Sequence, residues 1–592
     1  MSSIFRLHIP INMWQTAVSR KWTVFPLLLL AVTLPFELDR PLFNVGPIAI
    51  TNVELVLGFV FLTSLCVAIQ YKEYPRLPRT LWIWALLFII SLLLSTLFAP
   101  TNQFNALKAS LRLMMGLALA MLAIPVLVQT WQSVRWVAWT LLFAGGIAGF
   151  IGWVEYAQNR ELVWLNIFRT QPTLAGGLIR LTGPFDYANQ TAMFIEATFP
   201  ILVCTIWYVW QKQWRWQQKT AVILPLILCT ILYLQASILT FSRSSIVTIA
   251  FVSLLVAGSL IHKKVHAKNQ FAYVWFTITG IIVFLIVLNG QFNDLFRLRL
   301  QTEGDNEWYS AALTLTPITQ MARNEMRTIP ITLTNNGSLT WRSSGNSPIN
   351  LGARWIRTSD QQTISEPRWP FVTPVPPGEQ VEMKVALQAP AQPGNYELVW
   401  DVVHERITWF GAKTSQHVIH RVQIVDNEQS TLTTAPEEAS PWQYSLPIPD
   451  RRTLWLTAFM MWQKRPFFGI GADNFRLTYG GMLGATSWNE TIHTNNWGIE
   501  TAVSLGIVGT VIVAIAILTL AIDILRRFRQ DKVLLWQIAL GAGIIAYLIH
   551  GLLDFFLLFN ATGLLFWMLI GLWITTRTNL VTNEKQHLSL HE

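Results

Sequence analysis

The chain reads as an all-α polytopic membrane protein of about twelve transmembrane helices, with an all-β sandwich inserted in a large outer loop. Three observations predict this class. Hydrophobic residues fill 52% of the 592 positions and charged residues only 13%, against ~25% charged in an ordinary soluble domain. Apolar runs long enough to cross a ~30 Å bilayer core as a helix recur along the sequence. Residues 300–445 break that pattern with short alternating segments, Pro and Gly punctuating them.

The apolar runs lie near 22–38, 47–70, 81–98, 111–128, 134–152, 191–210, 220–240, 244–262, 271–290, 499–524, 533–550 and 555–575. The first carries Pro26 and Pro35. A basic start with no small-residue cleavage site after Leu27–Leu30 reads as an uncleaved first helix. Short loops rich in Lys and Arg mark the cytoplasmic side. Arg20 and Lys21, Lys72, Arg76 and Arg79, Lys212, Arg215 and Lys219, Lys263, Lys264 and Lys268, and Arg526, Arg527, Arg529 and Lys532 all fall on one side when the runs are counted alternately. Both termini are then expected in the cytoplasm. The segment 153–190, the turn 241–243 and residues 291–498 are expected outside.

The net charge of +10 is accounted for by those topogenic residues, so no nucleic-acid partner is expected. Cys66, Cys204 and Cys229 all lie within apolar runs and form no CxxC or Cys/His cluster. Neither a disulfide framework nor a zinc site is expected. The expected division is a membrane domain at 1–298, a β-sandwich at 299–427, a polar, Pro-rich linker at 428–450, an outer loop at 451–498, and further membrane helices with a cytoplasmic tail at 499–592.

In the sandwich, RTIPITLTNNGSLTW, QVEMKVALQAP and GNYELVWDVVHERITWF each predict strands. LTNNGSLTW, LGARW, VPPGE and APAQPGNYELVWDVVHERITWF resemble an immunoglobulin-like domain found on extracellular bacterial proteins. It is either a glycan- or partner-binding module or a spacer over the membrane site.

Ionisable and polar groups gather at the outer ends of the helices. Arg180 precedes the sixth run, with Asn189 at its start and Glu196 about two turns in. Arg243 sits in a very short turn, and Lys108 and Arg112 flank the fourth run. Charges inside a bilayer cost about 2.5–3.5 kcal/mol on insertion scales, so they have a partner or a task; snorkelling to the interface is the alternative, favoured for Lys108 and Arg112. Several arginines at one outer face suit a diphosphate, because the guanidinium fork matches phosphate oxygens and keeps its charge. RPFFGIGADNFRLTYG, 465–480, carries glycines that point to a loop running close to other backbone.

LTFSRSSIV, RPFFGIGADNF, HTNNWGIETAVSLGIVG and HGLLDFFLLFNATGLLFWMLIGL, in that order and after GPFDYANQTA, resemble the O-antigen ligase family of membrane glycosyltransferases. The resemblance spans about 170–575. It implies a GT-C-like twelve-helix bundle that moves a glycan from an undecaprenyl-diphosphate carrier to an acceptor hydroxyl, with no metal and no cofactor. It implies that Arg180 and Arg243 hold the pyrophosphate and that a loop histidine is the general base. The family pattern is His-Asn, nine residues, Gly-x-x-Gly. Asn496, Gly506 and Gly509 match it, Asn495 stands at the histidine position, and His493 lies two residues earlier. Two residues turn a helix by roughly 200°, so His493 can substitute only if the segment is irregular.

The functional expectation is therefore a ligase in the cytoplasmic membrane, its site outside. His493, Arg243 and Arg180 are its catalytic candidates; Asn189, Asn495, Asn496 and Arg112 its substrate-binding candidates. Its partners would be a polyprenyl-diphosphate-linked glycan and a glycan, lipid or protein acceptor. A repeat-unit polymerase on the same scaffold and a polysaccharide transporter are the rivals. The absence of an evident internal repeat argues against the transporter.

Overall fold

The computed structural model describes residues 22–45, 48–175, 178–262, 268–293, 296, 308–344, 348–405, 408–414, 417–426, 449–484, 488–530 and 534–588. Residues 428–448 of the linker expected at 428–450, and the basic residues Arg20, Lys21, Lys263, Lys264 and Lys532, lie outside them.

Every apolar run becomes a helix. They are α1 (Phe25–Thr33), α2 (Asn52–Tyr71), α3 (Arg79–Leu97), α4 (Gln103–Leu127), α5 (Trp131–Gln158), α6 (Ala188–Trp210), α7 (Trp216–Leu239), α8 (Arg243–His262) and α9 (Lys268–Phe292). After the sandwich come α10 (Arg451–Lys464), α11 (Phe475–Met482), α12 (Trp497–Phe528), α13 (Leu535–His550) and α14 (Asn560–Leu588). Eight of the described helices are long and apolar enough to cross a membrane. Phe25–Phe36, Ile278–Phe292 and Leu535–His550 are shorter apolar helices. The chain thus has the helical make-up of a membrane protein; the expected count of twelve spans exceeds what helix length and hydropathy establish.

Caps and small residues explain the local geometry. Thr51 and Glu54 form a capping box that starts α2. α6 is buried almost end to end, which suits a helix apolar on all faces. Its neighbours approach through glycine: a Cβ on Gly543 of α13 would lie 2.4 Å from the Ala197 carbonyl, and one on Gly145 of α5 would meet Phe194 at 2.9 Å.

Two short hairpins, β1–β2 (Phe43–Val45, Ile48–Ile50) and β3–β4 (Leu174–Ala175, Leu178–Ile179), decorate the loops. The sandwich follows α9. Its strands are β5 (Ala311–Leu315), β6 (Gln320–Ala322), β7 (Met326–Asn335), β8 (Ile349–Arg357), β9 (Thr363–Ser365), β10 (Arg368–Pro370), β11 (Gln380–Gln388), β12 (Gly394–His404), β13 (Thr408–Trp409) and β14 (Val418–Val425). One sheet runs β10-β8-β12-β14-β6, with β9 on β8 and β13 on β12; the other runs β11-β7-β5. Trp308, Trp341, Trp355 and Trp400 are fully buried. The three segments expected as strands are β7, β11 and β12–β13.

Candidate functional site

Two polar groups meet on the segment between α13 and α14. In the first, Arg180 Nε donates to the Thr240 carbonyl at 2.7 Å and Nη2 donates to Asn189 Oδ1 at 2.8 Å. Asn189 Nδ2 donates in turn to Asp554 Oδ2 at 2.7 Å. Arg243 is half-buried at the first position of α8, three residues beyond Thr240. A turn of three residues between α7 and α8, with Phe241 at φ 53°, therefore brings Arg180 and the start of α8 together.

The second group centres on His493, which is buried. Its ring centroid lies 5.0 Å from Phe555 and 5.9 Å from Phe559. Asp554 and Phe555 are consecutive, so one short segment carries both groups. His493 Nδ1 is 3.5 Å from Glu500 Oε1, and Nε2 is 3.9 Å from Asp473 Oδ1. Thr494 N donates to Glu500 Oε2 at 2.9 Å. Glu500 stands in the first turn of α12, where the helix dipole favours a carboxylate. Asp473 is gripped by both arms of Arg476, each at 2.7 Å. Burial pulls the His493 pKa down. The hydrogen bond and charge of Glu500, joined by Asp473, outweigh that burial and the opposing charge of Arg476. The net pKa rises above the ordinary 6.5.

The segment holding His493 is irregular: α12 begins only at Trp497, and Asn495 has φ 54°. The helical rotation separating positions 493 and 495 therefore does not operate. Asn495 is half-buried in that bend, a left-handed conformation asparagine tolerates. Asn496 is committed to structure. Its Oδ1 accepts from Gly498 N and Ile499 N at 2.8 and 3.0 Å, and its Nδ2 donates to the Leu552 carbonyl at 2.7 Å. Arg112 reaches the same α13–α14 segment: Nη1 donates to the Leu558 carbonyl at 2.9 Å, and Nη2 lies 3.8 Å from Glu54.

Asp473, Arg476, Glu500 and Asp554 escaped the sequence reading, although each lies in or beside a motif it singled out. The one available signal was Glu500, an acid in the first turn of an otherwise apolar helix.

The His493 carboxylates face a cleft of about 730 Å³ between α3, α4, α12 and α14. Asp473 and Glu500 lie at one end, Pro78, Asp523 and Arg577 at the other, with apolar walls between, among them Phe88, Leu113, Val513 and Trp567. From Glu500 to Asp523, helical rise gives at most about 35 Å, enough to cross a ~30 Å bilayer core. Lys72, Arg76, Arg79, Arg526 and Arg527 belong to the far end. Among the described residues, no group of His, Cys, Asp and Glu could hold a metal ion.

Residues 314–423 match the family described as the Ig-like domain from next to BRCA1 gene. The match lies wholly within the sandwich, which is thus an Ig-like domain. No curated protein matches the chain.

Proposed function

We propose that the protein is a membrane glycosyltransferase that moves a glycan from a polyprenyl-diphosphate carrier to an acceptor hydroxyl, at the bilayer face opposite its Lys- and Arg-rich loops. One observation carries this reading: Asp473 and Glu500, the two carboxylates beside the buried His493, line one end of a long apolar cleft. An isoprenoid tail suits the apolar walls, and its headgroup would emerge beside His493. In this reading the side with Arg526 and Arg527 is cytoplasmic, following the positive-inside rule.

Neutral His493 takes the proton of the acceptor hydroxyl at one ring nitrogen. Glu500, on Nδ1, fixes the ring and stabilises the imidazolium that forms. The acceptor oxygen bonds to the anomeric carbon as the bond from that carbon to the diphosphate oxygen breaks. The electron pair leaves with the polyprenyl diphosphate. Arg180 and Arg243 would offset the charge that grows on the leaving diphosphate, in the manner of preorganised cations. Arg180 is suited to this because Thr240 and Asn189 fix its fork from two sides.

Replacing Arg180, Arg243 and His493 singly by Ala and following glycan transfer from a polyprenyl-diphosphate donor in membranes tests the assignment. Each loss should abolish or sharply reduce transfer; full transfer in all three would sink it.

A further inference from the structure

Helix α10 is apolar on two faces, and only one of them is packed. Leu454, Thr457, Ala458 and Met461 are buried, and Leu454, Ala458 and Met461 belong to a cluster that includes Phe475, Tyr479 and Val503. On the opposite side Leu456, Phe459 and Met460 are 55%, 52% and 42% exposed. Helical periodicity places these three on one stripe. A contiguous exposed apolar stripe marks a surface that lipid or another molecule covers.

Exposed apolar surface is also found past the end of the helix. Phe467, two residues beyond Arg465, is 66% exposed. Its carbonyl accepts from Val508 N at 3.3 Å and that of Pro466 from Ile507 N at 2.7 Å. Ile507, Val508 and Val511 are themselves exposed apolar residues on α12, a helix able to cross a membrane. Phe468 stacks on Phe98 at 4.8 Å, just past the end of α3, where Leu97 and Phe98 are exposed. Beyond Lys464 and Arg465, exposed apolar surface thus resumes at Phe467, whose backbone is tied to one candidate spanning helix, and beside Phe468, which stacks at the end of another. Arg452 at one end of α10, and Lys464 and Arg465 at the other, are exposed and bracket the stripe.

We infer that α10 is an interfacial helix: its exposed stripe is immersed in the lipid at this end of the bundle, and its flanking cations contact anionic headgroups. Such a helix lies about 5–10 Å into the boundary between headgroups and acyl chains. The consequence is local. Trp455 Nε1 donates to the Thr494 carbonyl at 2.8 Å, one residue from His493. The lipid surface thereby sets the depth of the His493 loop. The inference requires that the bundle sits in a bilayer and does not depend on the transfer chemistry.

Spin-label depth measurements test it on the full chain. Cys66, Cys204 and Cys229 are replaced by Ala, and single labels are attached after L456C, F459C or M460C. L86C, on the exposed side of α3, serves as lipid reference and V372C, 95% exposed on the sandwich, as water reference. In phosphatidylethanolamine–phosphatidylglycerol vesicles, labels at 456, 459 and 460 should be relaxed by oxygen in preference to a water-soluble nickel chelate, as at 86. Accessibility matching that at 372 overturns the inference. So does shielding from both reagents with spin–spin broadening, the signature of a second copy on the stripe. The variant R452Q/K464Q/R465Q should bring the labels shallower in vesicles with phosphatidylglycerol and leave them unmoved without it; equal depth in both overturns the headgroup contact. Labels at three positions guard against one that disturbs packing.

Discussion

Gly469 lies against the break in α12 at Gly506: a Cβ on Gly506 would stand 2.6 Å from the Gly469 nitrogen, and one on Gly469 would stand 2.3 Å from the Ser504 carbonyl. Gly506 has φ 64° and ψ −168° inside the helix, and Gly469 has φ 73°. The break frees backbone groups, and the 466–471 segment takes them up. Ile470 N and Gly471 N donate to the Val503 and Ser504 carbonyls at 3.0 and 3.1 Å, while Ile507 N donates to Pro466. Ser95 Oγ donates to the Ser504 carbonyl as well, at 2.6 Å. Non-helical backbone beside lipid persists only when paired in this way.

Ala at Gly506 or Gly469 should therefore destabilise the fold and displace the loop carrying Asp473. Positive φ alone costs about 1–2 kcal/mol for an L-residue, and the backbone collisions add to it. Thermal unfolding in detergent should show a clearly lowered midpoint for both. Gly58→Ala, with no atom within 4 Å of the added methyl, should be neutral or slightly stabilising. Equal midpoints for all three would contradict the pairing.

His493→Ala should lower transfer by about 10²–10⁴, the usual worth of a positioned base. Because the histidine pKa is raised chiefly by Glu500 against burial, the acid limb of the rate profile should lie above 6.5. Glu500→Gln should move that limb to lower pH while slowing turnover. The stability sign follows from the same shift. Pairing of protonated His493 contributes fully below the unfolded value of 6.5 and is lost as pH rises through the higher folded value. An acid limb unmoved by Glu500→Gln would remove Glu500 from the role.

Glu196 of α6 and His550 of α13 form a fully buried pair, with Nδ1 3.0 and 2.8 Å from the two carboxylate oxygens. Removing one member of such a pair strands the other in an apolar surround, at about 3–5 kcal/mol. Glu196→Ala and His550→Ala should each unfold earlier than wild type, and their double variant should be less destabilised than the two costs summed. Strict additivity in the double-variant cycle would show that the pair is uncoupled.

In the Ig-like domain, burial pushes the Asp401 carboxyl up to about 7, despite hydrogen bonds from Gly411 and Val402 and the nearby charge of Arg354. A carboxyl that holds its proton more tightly folded than unfolded loses stability as pH rises. The loss runs from the unfolded value near 3.8 to about 7 and totals no more than about 4 kcal/mol. Asp401→Asn keeps an acceptor for these N–H groups and removes the charge. It should flatten this dependence, read from unfolding of the sandwich tryptophans across that range. An unchanged slope would exclude Asp401 as its source.

Much of this architecture could be read from residue order. Helices and strands are short-range objects: Thr51 and Glu54 cap α2 within four positions, and β7 alternates within ten. Glycines in 465–480 announced a close backbone approach, and the structure supplies its partner at Gly506. The site was legible only in outline. Arg180, Asn189 and His493 are on the segment-sharing network, whereas Asn496 is spent on capping α12. Glu500, Asp473 and Asp554 went unrecognised.

Hydropathy and periodicity thus determined which stretches form apolar helices and that an all-β domain interrupts them, because a helix or strand satisfies its backbone among near neighbours. Only the tertiary structure decided which carboxylates stand beside His493 and which asparagine joins Arg180 to Asp554. Those contacts join residues up to 365 positions apart, and a pairing made through space leaves no period in the order of residues.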